Sequence, residues 1–125
     1  MNTDISNRQR LVAAWAIERQ ASKDAMRRHD LNTAWARLER AHIISQPIAG
    51  RHVRTHLAML RFAIRARRAD EIAGQLFRTI VAAPGTWSGR YPRGNTGGAN
   101  VSVFAPMVVP ADLQPLVEVN VEGGL

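Results

Sequence analysis

Three of the chain's four histidines, His42, His52 and His56, fall close together in the sequence, and Glu39 stands three positions before the first of them. The result is a Glu-x-x-His pair followed by a His-x-x-x-His pair. Residues three or four apart share a helix face, so each pair presents its two donors in one direction. Helical bundles use this spacing to offer two metal ligands from a single helix. Imidazole nitrogens with one or two carboxylates suit zinc, iron, nickel, cobalt or copper(II). Met59 continues the His52/His56 face by one turn and would add affinity for copper(I). Glu18 lies on the apolar face of its own segment, where an unpaired carboxylate is costly, and is a supporting candidate. The set is short of the carboxylates of a di-metal bundle, so we expect one ion, or a site shared between the subunits of a homo-oligomer. The competing reading is a hydrogen-bonded polar cluster with Glu39 bridging to Arg37 or Arg40, because buried polar groups need partners of some kind. His29 stands apart near a helix end, where a cation complements the helix dipole.

The elements that must position these groups are helices. Apolar periodicity predicts an all-α fold with helices at about 7–28, 31–45, 50–68 and 70–83. A Gly/Pro-rich loop over 84–110, a short helix at about 111–117 and a frayed tail over 120–125 complete a single domain. Leu11, Trp15, Ser22, Ala25 and Met26 mark the inner face of the first helix. Ala34, Trp35, Leu38, Ala41 and Ile44 mark the second, Val53, Leu57, Leu60 and Ile64 the third, and Ile72, Leu76 and Ile80 the fourth. Asp30 or Asn32 is placed to cap the second helix and Asp70 the fourth, while Pro84-Gly85 closes the helical region. A faint echo of Ala34, Leu38 and Ala41 in Ala73, Phe77 and Ile80 suggests two stacked helical hairpins as an alternative to a plain four-helix bundle. The Gln46–Gly50 connection is short, so the second and third helices are antiparallel neighbours. In that register His42 stands at the height of His52, and Glu39 at the height of His56.

Composition narrows the chemistry further. Cysteine is absent, which excludes disulfides, thiolate zinc sites and cysteine nucleophiles. The apolar fraction of 46% and charged fraction of 22% are those of a globular chain. No apolar run reaches the roughly 18–20 residues of a membrane helix, and the polar N-terminus lacks a signal-peptide core, so a cytoplasmic location without membrane association is expected. The net charge of +7 invites a nucleic-acid reading, but every basic residue except Lys23 is arginine. A GC-rich coding sequence explains that bias as well as phosphate binding does. Arg54, Arg61, Arg65 and Arg68 form a stripe on the third helix; without a recognised nucleic-acid motif, its ordinary meaning is a solvated face.

The 84–110 loop includes Arg90, Tyr91, Asn95 and Thr96. Its simplest reading is structural, with glycines supplying positive-φ turns while Tyr91 and Phe104 pack on the bundle. A lid over the metal cluster ranks second. An anion cradle ranks last, since the loop has no Lys-Ser/Thr ending and no strand before it.

Three segments, Leu38 to Pro47, His52 to Leu60 and Gly89 to Gly98, together resemble an uncharacterised bacterial family of small helical proteins, known only as a domain of unknown function. The resemblance covers about Arg8 to Leu116. It implies a metal-related role, because members of that family are often encoded beside heavy-metal resistance and efflux genes. Its motif maps onto Glu39, His42, His52, His56 and Met59, and includes the Gly94-Asn95-Thr96-Gly97 loop.

The sequence therefore points first to a transition-metal-binding protein, a buffer, carrier or sensor, with Glu39, His42, His52 and His56 as ligands. A metal-dependent enzyme is the second expectation. It is disfavoured because no catalytic base beyond the ligands can be named. A helical scaffold that binds protein or nucleic acid through the Arg stripe is the third.

Overall fold

The computed structural model describes residues 2–87, 95–98 and 106–117. Four helices follow one another: α1 (Asn2–Arg27), α2 (Leu31–Ser45), α3 (Ala49–Arg65) and α4 (Ala69–Trp87). A short helical turn over 114–117 comes after them, and no strand occurs among the described residues. No helix among them is long and apolar enough to cross a membrane. The fold is all-α, as the periodicity predicts.

Local chemistry explains where the helices stop and start. At the end of α1, the Asp30 amide donates to the Ala25 carbonyl and the His29 amide to that of Met26, with His29 at φ 57°. At the end of α3, Arg68 donates to Ala63 and Arg67 to Ile64, with Arg67 at φ 55°. Both ends are Schellman closures, here with a histidine and an arginine where glycine is usual. Asp30 caps α2, its carboxylate accepting from the Thr33 amide at 3.2 Å.

Several boundaries differ from expectation: α1 begins at Asn2 rather than at about 7, α3 ends at Arg65 rather than at about 68, and both ends of α4 differ. Asp70 is not the cap of α4 but lies with Glu71 inside its first turn, where both carboxylates complement the dipole. The helix also runs past Pro84-Gly85 to Trp87. A proline forfeits one ladder hydrogen bond without forbidding the turns on either side of it.

The helices pair as two hairpins. α1 lies along α2 and α3 along α4, each more extensively than α2 along α3. One apolar cluster joins Leu11 of α1, Ile43 and Ile44 of α2, Ile48 of the connection, and Leu113 and Val117 of the C-terminal turn. A second holds Ala25, Ala34, Leu38, Ala58, Met59 and Phe62. Trp15 ties α1 to α3 by donating from Nε1 to Thr55 Oγ1 at 2.9 Å.

The inner faces of α1 and α2 are those the periodicity marks. Those of α3 and α4 are not. Leu57, Ile64 and Leu76 are 38%, 56% and 51% exposed, while His52, Thr55, His56, Met59, Phe62, Glu71, Gln75 and Arg78 are buried. The echo also fails at the level of side chains, since Ala34 and Leu38 are buried whereas Ala73 and Phe77 are exposed. Ile80 falls outside the residues whose side chains are described.

Candidate metal centre

His42 comes from the last turn of α2, and His52 and His56 from successive turns of α3. All three are buried. Their Nε2 atoms form a nearly equilateral triangle: 3.0 Å from His52 to His42, 3.1 Å from His42 to His56 and 3.2 Å from His56 to His52.

The outward nitrogens decide what that triangle contains. His42 Nδ1 lies 2.6 Å from the Asn95 carbonyl oxygen, which can only accept, so the proton of neutral His42 is on Nδ1. His56 Nδ1 lies 2.7 Å from Gln75 Oε1. The orientation of that amide is fixed independently, because Gln75 Nε2 donates to Glu71 Oε2 at 3.2 Å and to the Gly97 carbonyl at 2.7 Å. His56 therefore also donates from Nδ1. Neutral His42 and His56 thus both turn bare lone pairs inward, 3.1 Å apart, and neither supplies a proton to the other.

Protonation is a poor remedy for that repulsion. Burial, reinforced by His56 and His52, pushes His42 well below the usual imidazole range, and an accepting Asn95 carbonyl only partly opposes this. Burial and the His56 neighbour lower His52 to about 3, and burial lowers His56 to about 4. A metal ion does not face that difficulty. Held by three nitrogens at ~2.0–2.1 Å, it keeps them about 2.9–3.4 Å apart, from right-angled to tetrahedral geometry. The three histidines could hold one such ion.

The surrounding groups set orientation and charge. Asn95–Gly98 closes over the cluster: the Gly97 amide donates to Asn95 Oδ1 at 2.8 Å, and Asn95 and Gly97 are buried. Gly97 has φ +83°, and a Cβ there would stand 2.6 Å from His42 Cδ2. Only glycine lets the backbone lie this close to the ring. Arg78 is buried near His42 and His56 and lowers both. Glu71 offsets that guanidinium.

Glu39 is half-buried. Its carboxyl is raised by burial and by the charge of Glu71, against the effect of a hydrogen bond with Thr96. Of the expected ligands, then, the three histidines converge, and Glu39 sits one turn before His42 on α2 with Thr96 as its partner. Glu18 serves another purpose: its two oxygens accept from Arg40 Nε at 2.9 Å and Arg37 at 3.1 Å, and Arg40 forks onto Asp112. Those arginines, expected as possible partners of Glu39, are thus taken by Glu18. Met59 packs in the apolar cluster with Leu38 and Phe62. Arg90 and Tyr91 lie outside the described residues.

Sequence reasoning missed Gln75, Glu71 and Arg78. The available signal was their own spacing, since positions 71, 75 and 78 share one face of α4 and oppose its apolar stripe.

Residues 9–117 fit the model of a family described as Protein of unknown function (DUF3703). The chain belongs to that family. No curated protein and no solved structure matches it. The matched span contains the three histidines, Gln75 and the Asn95–Gly98 segment, so the whole site lies within the family's domain.

Proposed function

We propose that this protein binds one first-row transition-metal ion through Nε2 of His42, His52 and His56, and acts as a metal buffer, carrier or sensor. The observation that carries the reading is the pair of inward lone pairs on His42 and His56, held 3.1 Å apart by Nδ1 hydrogen bonds to Asn95 and Gln75. Outer hydrogen bonds of this kind fix tautomer and raise ligand basicity at metal-bound imidazoles. Glu39 is the carboxylate we assign to a further coordination position, released from Thr96 when the ion enters. Glu71 and Arg78 tune the charge around it. The donor set favours zinc, cobalt, nickel, iron or copper(II) over hard oxygen-seeking cations.

The test is titration of metal-stripped protein with zinc, cobalt, nickel, copper and iron(II), beside the His52→Ala/His56→Ala double variant. We expect one ion per chain, bound at least 100-fold more tightly by the wild type, with the helical circular dichroism retained in the variant. Equal affinity for every metal in the two proteins would refute the reading and leave the histidines as a structural polar cluster.

A second reading has one observation in its favour. Three protein ligands are the number that catalytic zinc sites use, keeping a position open for water. The raised carboxyl of Glu39 would suit it to accept a proton there. Turnover that disappears in Glu39→Gln while metal content is unchanged would establish that reading.

A further inference from the structure

A separate feature lies between α1 and α3. A cavity of about 370 Å³ is lined by these two helices and by Leu38 of α2. Its apolar floor is Met26, Leu38, Ala58 and Phe62. Around it stand five cations: Arg19, Lys23 and Arg27 from one face of α1, and Arg61 and Arg65 from α3. No carboxylate among the described residues lines it. Arg27 is paired with Asp24, but Arg19, Lys23, Arg61 and Arg65 have no ion pair among the described residues.

Arg19 is the most telling of these. Its Nε is buried without a hydrogen-bond partner among the described residues. Its guanidinium leans over the Trp15 ring at 5.9 Å, and burial together with the charge of Arg61 lowers its pKa. A buried donor left unmade is destabilising, the more so on a charged group. Clustering like charges over an apolar floor adds to that cost. A ligand with an oxyanion head and an apolar body would neutralise the clustered charge of Arg19, Arg61 and Arg65 and cover the apolar floor. The volume is at the small end of the range for organic ligands.

We infer that this cavity is a binding site for a small amphipathic organic anion, a carboxylate or phosphate monoester carrying an apolar chain or ring. The head is held by Arg19, Arg61 and Arg65 through charge-assisted hydrogen bonds, and the body lies on Leu38, Ala58 and Phe62. The inference is independent of the histidine cluster, and no cavity-lining residue belongs to that cluster.

The experiment is calorimetric titration of the full chain, in the presence of a chelator, with decanoate, decyl phosphate, decanol and inorganic phosphate. One decanoate or decyl phosphate should bind per chain, at least tenfold more tightly than decanol or inorganic phosphate. Whichever head binds better identifies the source of the ligand. Arg61→Ala/Arg65→Ala should weaken binding at least tenfold. Ala58→Met keeps every charge and fills the floor, and should abolish binding with helicity unchanged. The inference is overturned if decanol or inorganic phosphate binds as well as the amphiphiles, or if both variants bind like wild type. It is also overturned if no amphiphile binds and the arginines instead support salt-sensitive binding to duplex DNA.

Discussion

Along α1 and α2 the residues turned inward include Leu11, Ala25, Ala34, Leu38, Ala41 and Ile44, whereas α3 and the first half of α4 bury His52, Thr55, His56, Glu71, Gln75 and Arg78. The first hairpin is built as an amphipathic helix pair ordinarily is, with apolar area removed from water as the main favourable contribution. Beside Ala58, Met59, Phe62 and Ala63, the described part of the second buries six polar groups that stabilise only when every partner is in place. It also leaves Leu57, Ile64, Leu76 and Phe77 38–56% exposed. A helix pair gains little by burying imidazoles in place of isoleucines, so the inversion marks the second hairpin as the part of the molecule shaped by chemistry.

The largest expected effect follows from the acid response of that interior. His52 and His56 are neutral in the fold down to about pH 3 and 4, while in the unfolded chain an imidazole protonates near 6.5. Between those limits the unfolded state binds more protons, so stability is present above about pH 6.5 and is lost as pH falls through the window. Each such group contributes a slope of up to about 1.4 kcal/mol per pH unit. Metal-free protein should therefore lose several kcal/mol between pH 7 and 5, measured by urea unfolding. His52→Ala/His56→Ala should show a much flatter profile over the same range. Parallel profiles would mean that the histidines are not buried neutral.

Two substitutions then set one hairpin against the other. Leu38 is 2% exposed in the apolar cluster, and Leu38→Ala should cost about 2–5 kcal/mol by urea unfolding. Metal stoichiometry should stay intact, because no ligand contacts depend on Leu38. Gly97→Ala should cost somewhat less, about 1–3 kcal/mol, from the φ of +83°. Unlike Leu38→Ala, it should lower metal affinity at least tenfold, since the new Cβ must displace the His42 ring. If Gly97→Ala changes stability and leaves affinity untouched, the Asn95–Gly98 segment is only a closing turn.

How much was legible in the sequence follows the same division. The inner faces of α1 and α2 could be read from periodicity because their burial is mostly apolar, His42, Glu18, Ser22 and Ser45 being the polar exceptions. The matching height of His42 and His52 could be read from helix register, which needs only a short connection and a spacing of three or four, whereas the turning of the two faces towards each other could not. The inner faces of α3 and α4 could not. Periodicity assumes that apolar residues point inward, and here the stripe Val53, Leu57, Leu60 and Ile64 competes with the histidine face and gives way to it. The roles of Gln75 and Gly97 depend on contacts between segments 22 residues apart in the chain, which no local pattern encodes. Glu18 looked like a stranded carboxylate because its partners, Arg37 and Arg40, belong to the neighbouring helix.

The smallest expected effect is the sharpest test of the inversion. If α3 buries its histidine face, the apolar residues on the other side contribute little to folding. Ile64 is 56% exposed, and Ile64→Lys should change stability by no more than about 0.5 kcal/mol, the ordinary range for surface substitutions. An apolar core position on α3 would give a different answer, since a lysine buried there must desolvate or shed its charge at a cost of several kcal/mol. Phe62→Lys, at a position 3% exposed two residues earlier, supplies that reference. A large loss from Ile64→Lys, comparable with Phe62→Lys, would place the apolar stripe of α3 inside a packed interface and remove the contrast between the hairpins. A loss confined to Phe62→Lys fixes the orientation of α3 about its own axis, and with it the direction in which His52 and His56 face.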